Sequence, residues 1–479
     1  MDSVSENTSV ARMQTPAPRP FGPWRRKRRV FLIGIIVIII IILLLFVVAR
    51  GKNKEGRFGQ RIRDYITNKK QEQAPTDTSP TAAPLTTAPP TETQTVITAG
   101  SVPSEYQTLY TLLEGKLDTF NQKVKEDWNG SKHPVVFSAG LITANPNTGD
   151  ALLQAQTFDT TVKYLDRLKD LGVKGIGVDI NFPLLTPGFH QNDSKYNQYL
   201  DFYKRLFSEI KKRGLKTAVE VQGIFSQFST LNIKPYYESL TFDEYKKENL
   251  AMIKLLALEL QPDYITVANE PDMEAINTGQ PVNILEKYIE AVTYYLNGVK
   301  DAGLDKNIKY GAGFGTWQKD YKNFSTRTAQ IENLDFVNIH IYPVDFGLLD
   351  RALEISDIVI QNGKSLASSE AWLSKRKLDD GGGQSMSTFA EISGRNAFSF
   401  WQPLDKKFLE AIVNLAHYKK FEYISPFWSN YFFSYMDYDT AKNIPGKQRM
   451  KQAVTGGAEG TLSGSITETG LYYKQLISP

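Results

Sequence analysis

Tyr264-Ile265-Thr266-Val267-Ala268-Asn269-Glu270-Pro271 is an apolar, β-branched run that ends on a carboxylate. It lacks the clean polar alternation of a half-exposed strand, so it reads as a strand covered on both faces. A carboxylate at the end of such a strand sits at the mouth of a parallel sheet, where active sites gather. Ser368-Ser369-Glu370-Ala371-Trp372 repeats the arrangement about a hundred positions later.

Working outward, strand-like runs recur eight times: 133–140, 173–181, 215–221, 264–269, 308–314, 336–342, 365–369 and 424–427. Helical patterns lie between most of them, at 157–171, 195–213, 241–260, 283–302 and 405–420. Gly172, Gly214 and Gly303 follow three of these patterns and read as C-cap glycines. Alternation of strand and helix implies parallel pairing with right-handed crossovers. Eight repeats suggest an α/β chain closed into a (β/α)8 TIM barrel. An open doubly wound sheet is the alternative, and no GxGxxG follows the first strand to support a dinucleotide site.

The segments before the barrel differ in composition. Val30–Ala49 is an unbroken uncharged run dominated by isoleucine and leucine. At about 1.5 Å per residue it spans roughly 30 Å, the hydrocarbon thickness of a bilayer, and it is longer than a signal-peptide core. It reads as a single transmembrane helix and signal-anchor. The contiguous cluster Arg25-Arg26-Lys27-Arg28-Arg29 places the N-terminus in the cytoplasm. Residues 1–29 are then a basic tail, and 50–103 a juxtamembrane segment and a Pro/Thr-rich linker. Residues 104–479 form an extracytoplasmic domain. The linker cannot bury enough apolar surface to fold, and its prolines stiffen it as a spacer. The domain opens with an amphipathic helix over 104–128, with Tyr110, Leu113, Leu117 and Phe120 at helical spacing. That helix is expected to cover the barrel floor.

Composition narrows the chemistry. The 479 residues carry a net charge of +4, and the densest basic clusters lie near the N-terminus. Nucleic acid is therefore not expected as a partner of the folded part. There is no cysteine, which removes disulfides, thiolate nucleophiles and zinc–thiolate sites. The four histidines, His133, His190, His340 and His417, form no HExxH or HxH pattern, so neither a metal nor another cofactor is expected. No lysine sits at a convincing strand end, which leaves a Schiff-base lyase with little support.

Four strand ends carry candidate chemistry. Strand four ends in Asn269-Glu270 and strand seven in Glu370. Strand six carries His340 and Tyr342, two apart and so on one side. Strand eight ends near Trp428. Two carboxylates from different strands are the minimum equipment for cleaving a glycosidic bond.

This ordered set, over 133 to the C-terminus, resembles the retaining clan A glycoside hydrolases, and most nearly family 5, the cellulase and mannanase type. The resemblance implies Glu270 as general acid/base and Glu370 as nucleophile, with carboxyls about 5–5.5 Å apart. It implies that Asn269 bonds the sugar 2-hydroxyl, that Tyr342 donates to Glu370, and that His340 bonds substrate or Glu270. Trp428 would be the platform under the sugar, with Trp317, Trp372 and Trp401 as candidates for neighbouring subsites. The substrate would be an extracellular polysaccharide or oligosaccharide. The chain departs from family 5 in lacking an arginine at the end of an early strand and a histidine near strand three. Asp179, Asn181 and Gln222 stand on that rim instead. A surface-anchored, catalytically inactive carbohydrate-binding barrel is the alternative reading.

Overall fold

The computed structural model describes residues 95–478, apart from 191, 305, 345–346, 378–379 and 381–385. The basic tail, the Val30–Ala49 span and most of the linker lie outside the described residues. Among the described residues no helix is long and apolar enough to cross a membrane.

Eight parallel strands close into a barrel in sequence order: β1 (Val136–Gly140), β2 (Gly175–Asp179), β3 (Lys216–Glu220), β4 (Tyr264–Thr266), β5 (Lys309–Gly315), β6 (Phe336–His340), β7 (Ser365–Ala371) and β8 (Tyr423–Pro426). Closure is made by Val136 and Phe137 pairing with Tyr423 and Ile424. Every strand expected from the sequence is present, trimmed or extended by a few residues. The expected helices appear at Ala155–Asp170, Asp193–Lys212, Phe242–Glu259, Leu285–Asp301 and Gln402–Tyr418. Gly172, Gly214 and Gly303 stand past their helix ends at φ of 94°, 68° and 67°, the left-handed region a C-cap needs.

The first amphipathic helix, Gln107–Asp127, buries Leu113, Leu117 and Phe120. It packs against Gln402–Tyr418, the helix that precedes β8. A two-residue parallel pair, Val96–Ile97 with Ile466–Thr467, joins the start of the described chain to its last turns.

Alternation along each strand stacks the barrel interior in layers. Val136, Ala218, Tyr264, Phe336, Ala367 and Tyr423 cluster at the strand starts as an apolar floor. Two residues further on, the same side of β4, β6 and β7 carries Thr266, Asn338 and Ser369. Asn338 Nδ2 donates to Thr266 Oγ1 at 3.0 Å and Ser369 Oγ at 2.6 Å, and its Oδ1 accepts the Ser369 N–H at 2.9 Å. TIM barrels are usually filled here by branched apolar side chains. A polar layer is tolerated because its members bond one another.

β5 lends space to its neighbours by carrying glycine at alternate positions. At Gly311 a β-carbon would lie 2.1 Å from Phe336 Cε2, and at Gly315 one would lie 2.2 Å from the Trp317 ring. Gly311→Val should therefore overpack the floor and lower stability by about 1–3 kcal/mol. Thermal or urea unfolding would read this as a fall in midpoint; an unchanged midpoint would mean that the floor has slack.

Candidate active site

One more step along the strands brings ionisable groups together. Glu220 ends β3, His340 ends β6, Glu270 follows β4 and Glu370 lies in β7. His340 has no exposed side-chain surface. Its Nδ1 lies 2.7 Å from Glu270 Oε1 and 3.9 Å from Glu370 Oε2. Its Nε2 lies 2.6 Å from Asn269 Nδ2, 2.9 Å from Ser369 Oγ and 3.1 Å from Glu220 Oε2. Ser369 Oγ also donates to Glu220 Oε2. The two Nδ1 distances together bound the Glu270–Glu370 oxygen gap. That bound only reaches the lower edge of the roughly 6.5–9.5 Å typical of inverting pairs.

Local backbone explains how two of the glutamates arrive. Glu270 has φ +43°, a left-handed conformation rare outside glycine, and Pro271–Thr278 is helical immediately after it. Its N–H is held by Asn269 Oδ1 at 2.9 Å. In β7 the pairing with β8 shifts register between Ser368 and Ala371. That bulge lets consecutive residues serve one site, Ser369 toward Glu220 and His340 and Glu370 toward Tyr342. Tyr342 Oη donates to Glu370 Oε2 at 2.7 Å.

Of the four tryptophans named from the sequence, two are near the mouth. Trp317 is half-buried, its ring 6.0 Å from that of Tyr342, and its Nε1 donates to Asp272 at 2.8 Å. Trp428 follows β8 and meets Phe427 edge-on at 5.1 Å. Trp372 and Trp401 are core residues and not sugar platforms, at 1% and 0% exposure. Both rings lie 5.9 Å from Lys375 Nζ, which forms a buried ion pair with Asp405. Tyr435 completes that pair by donating to Asp405 at 2.8 Å. The two indoles thus sheathe a desolvated charge pair, which explains their burial. Lys375 lies just past β7, a buried lysine not anticipated from the sequence, and it is committed to Asp405.

Burial raises the Glu270 carboxyl, and the bond from His340 lowers it in part. Glu370 is raised well above the carboxylate range by burial, with His340 lowering it and Glu220 and Glu270 raising it. Asp179 is pushed up to about 8 by burial and by Glu220, against His340 and the Asn145 amide, which donates at 2.6 Å. For His340, burial opposes the charged form, but the carboxylates of Glu220 and Glu370 outweigh it and raise the imidazole well above its usual value.

Ligand atoms of Glu220, His340 and Glu370 lie within 4.8 Å of one another, close enough to consider a metal ion. A ligating histidine must be neutral with a free lone pair. Here the surrounding carboxylates favour the imidazolium, Nδ1 is on Glu270, and Nε2 is enclosed by Asn269, Ser369 and Glu220. The donor set therefore fits a hydrogen-bonded network better than a metal cage.

Glu274, one turn after Glu270, is another group not anticipated from the sequence. Its carboxylate accepts from the Gly223 N–H just past β3 and from the Tyr245 hydroxyl. Its own N–H donates to Glu270 O at 2.8 Å. It thereby ties the Glu270 turn to the end of β3. Only alternating register signals Glu220 and Ser369, and only the three-residue spacing after Pro271 signals Glu274.

Compared by sequence, the chain matches no family model and no curated protein. Compared by structure, it is similar to an exo-β-1,4-mannosidase from Opitutaceae bacterium strain TAV5, with 13% identity over 70% of this chain and 61% of that one and a TM-score of 0.44. The chain thus spans less than two thirds of that mannosidase. It is also similar to Thermotoga maritima Cel5A in complex with mannotriose, with 13% identity over 67% and 97% and a TM-score of 0.41. A third similarity is to the GH1 β-glucosidase of Exiguobacterium antarcticum B7, with 12% identity over 68% and 99% and a TM-score of 0.42.

Glu274 supplies a test of this scaffold. Burial raises its carboxyl to about 7, against the bonds from Tyr245 and Gly223. The folded state then holds the proton more tightly than the unfolded chain, so folding is favoured while the group is protonated. Stability should fall as pH rises from the ordinary carboxylate range to about 7, by about 3 kcal/mol at most. Glu274→Gln should flatten that fall. Melting temperatures of both proteins from pH 5 to 8 would show it, and parallel curves would refute it.

Proposed function

We propose that the chain is a membrane-anchored retaining glycoside hydrolase that cleaves β-glycosidic bonds of extracellular poly- or oligosaccharides. The observation that carries this reading is the meeting of Glu270 and Glu370 at one ring nitrogen of His340, close enough for direct attack on an anomeric carbon between them. The anchor is Val30–Ala49, and the Pro/Thr-rich linker holds the barrel outside the cell.

Glu370 attacks the anomeric carbon while Glu270 protonates the departing glycosidic oxygen, giving a glycosyl-enzyme ester. Glu270 then takes a proton from water, which attacks the same carbon and releases Glu370. Tyr342 favours the ionised Glu370 by donating to it. The His340 bond favours the ionised Glu270, which is the wrong state for an acid. Transfer of the Nδ1 proton to Glu270 Oε1 across their 2.7 Å contact corrects this. That transfer places the proton for the first step and leaves a neutral imidazole.

A panel of chromogenic β-glycosides tests the assignment. Glu370→Gln should abolish turnover. Glu270→Gln should lower kcat by about 10²–10⁴-fold on substrates whose leaving group needs protonation. Sugar binding without turnover in the unmodified protein would support the inactive binding barrel instead. Tyr342→Phe removes a donor to the charged nucleophile, so the Glu370 pKa rises and the acid limb of the kcat profile should move to higher pH. A limb that stays put, or moves to lower pH, would mean that Tyr342 does not serve the ionised nucleophile. Release of the barrel by protease treatment of intact cells tests the orientation.

A further inference from the structure

The site gathers more carboxyl groups than cleavage of a neutral glycoside requires. Two carboxylates suffice for that reaction, and Asp179 and Glu220 make four. Among the described residues, the ion pairs at Glu220, Glu270 and Glu370 all lead to His340. His340 is also the cation among the leading influences on Asp179. Glu220 lies deep, whereas Asp179 keeps some exposure at the end of β2, with one oxygen on Asn145.

A second observation lies one step nearer the mouth. Pairing between the β2 and β3 segments continues past Asp179, with Ile180 N–H on Glu220 O at 3.0 Å and Phe182 N–H on Gln222 O at 2.8 Å. Asn181 therefore projects to the same side as Asp179. It is fully buried, and neither its Oδ1 nor its Nδ2 has a partner among the described residues. Glu220 Oε1 is likewise without a partner among the described residues. A buried amide left unpaired is costly, and a ligand that supplies both a donor and an acceptor removes the cost.

We propose that the pocket takes an amino sugar, whose ammonium group binds on the Asp179–Glu220 side while Asn181 bonds a neighbouring ring hydroxyl. This rests on the glycosidase reading and names the substrate class for the same site. An ammonium beside Asp179 favours its ionised form, against the burial that raises that carboxyl. It also offers three donors to an acceptor-rich wall. An N-acetylated sugar lacks that charge, and a uronic acid would be repelled by it.

Paired oligosaccharides that differ only at C2 test this directly: chitosan against cello-oligosaccharides, and β-1,4-galactosamine against β-1,4-galactose oligomers. Binding would be measured by calorimetry on the full chain in detergent, with the unmodified protein and with Glu370→Gln, at a pH where the amine is charged. In at least one pair the ammonium oligomer should bind about ten-fold tighter or more at low ionic strength, and the advantage should shrink with salt. Asp179→Asn should bring the ratio toward one. Equal or tighter binding of the neutral partner in both pairs, or no binding of any oligomer, overturns the proposal. Turnover of neutral oligomers without discrimination sinks this inference and leaves the glycosidase reading. Selective ammonium binding without turnover sinks the glycosidase reading and leaves this one.

Discussion

A single buried imidazole sets the terms for the mouth of this barrel. His340 has carboxylates or polar groups from β3, β7 and the end of β4 around its two nitrogens, and its charge answers theirs. Glu220 stands three strands from His340 around the sheet. At about 4.8 Å per strand, that separation would exceed 14 Å in a flat sheet. The observed contact is 3.1 Å. Only a closed barrel folds β3 back onto β6, so the hydrogen bond and the architecture require each other.

The layers beneath the imidazole make its position affordable. Along β6 and just past it, Phe336, Asn338, His340 and Tyr342 occupy successive inward positions and pass from an apolar floor through a neutral polar layer to an ionisable mouth. The Asn338 amide fixes Ser369 by both its donor and its acceptor. Ser369 in turn meets Glu220 and His340. Were Asn338 replaced by a branched apolar residue, Ser369 would lose two partners in a buried setting, and the orientation of the charged layer would loosen with it. The polar plug thus trades some apolar burial for precision at the mouth.

Much of the fold was legible because buried parallel strands are written as local apolar runs, and the eight runs fall where eight strands stand. The boundaries were less so: the β7 run continues two residues further, to Ala371, because of a bulge that no local pattern marks. In the site, Asn269, Glu270, His340, Tyr342 and Glu370 were visible as strand-end residues, and the structure brings them together. Glu220 was not singled out, because one glutamate in an apolar run looks the same whether it faces inward or outward. Trp372 misled for a related reason. It follows the bulge, leaves the site and packs on Tyr431 at 5.5 Å beside the Lys375–Asp405 pair. Proximity in sequence to a site residue says little about direction once the period of two is broken.

The same geometry constrains how charge can move. Burial raises Glu270, and it raises Glu370 well above the carboxylate range, so burial alone would leave Glu370 the harder of the two to ionise. Their partners also differ: Glu370 has the neutral Tyr342 hydroxyl, whereas Glu270 has the His340 ring, whose Nδ1 lies 2.7 Å from its Oε1. A carboxyl bonded to a proton-bearing ring can gain that proton, and one bonded to a phenol of raised pKa cannot readily do so. The asymmetry between the two glutamates is therefore carried by what each is bonded to, and both partners, His340 and Tyr342, come from the same side of one strand.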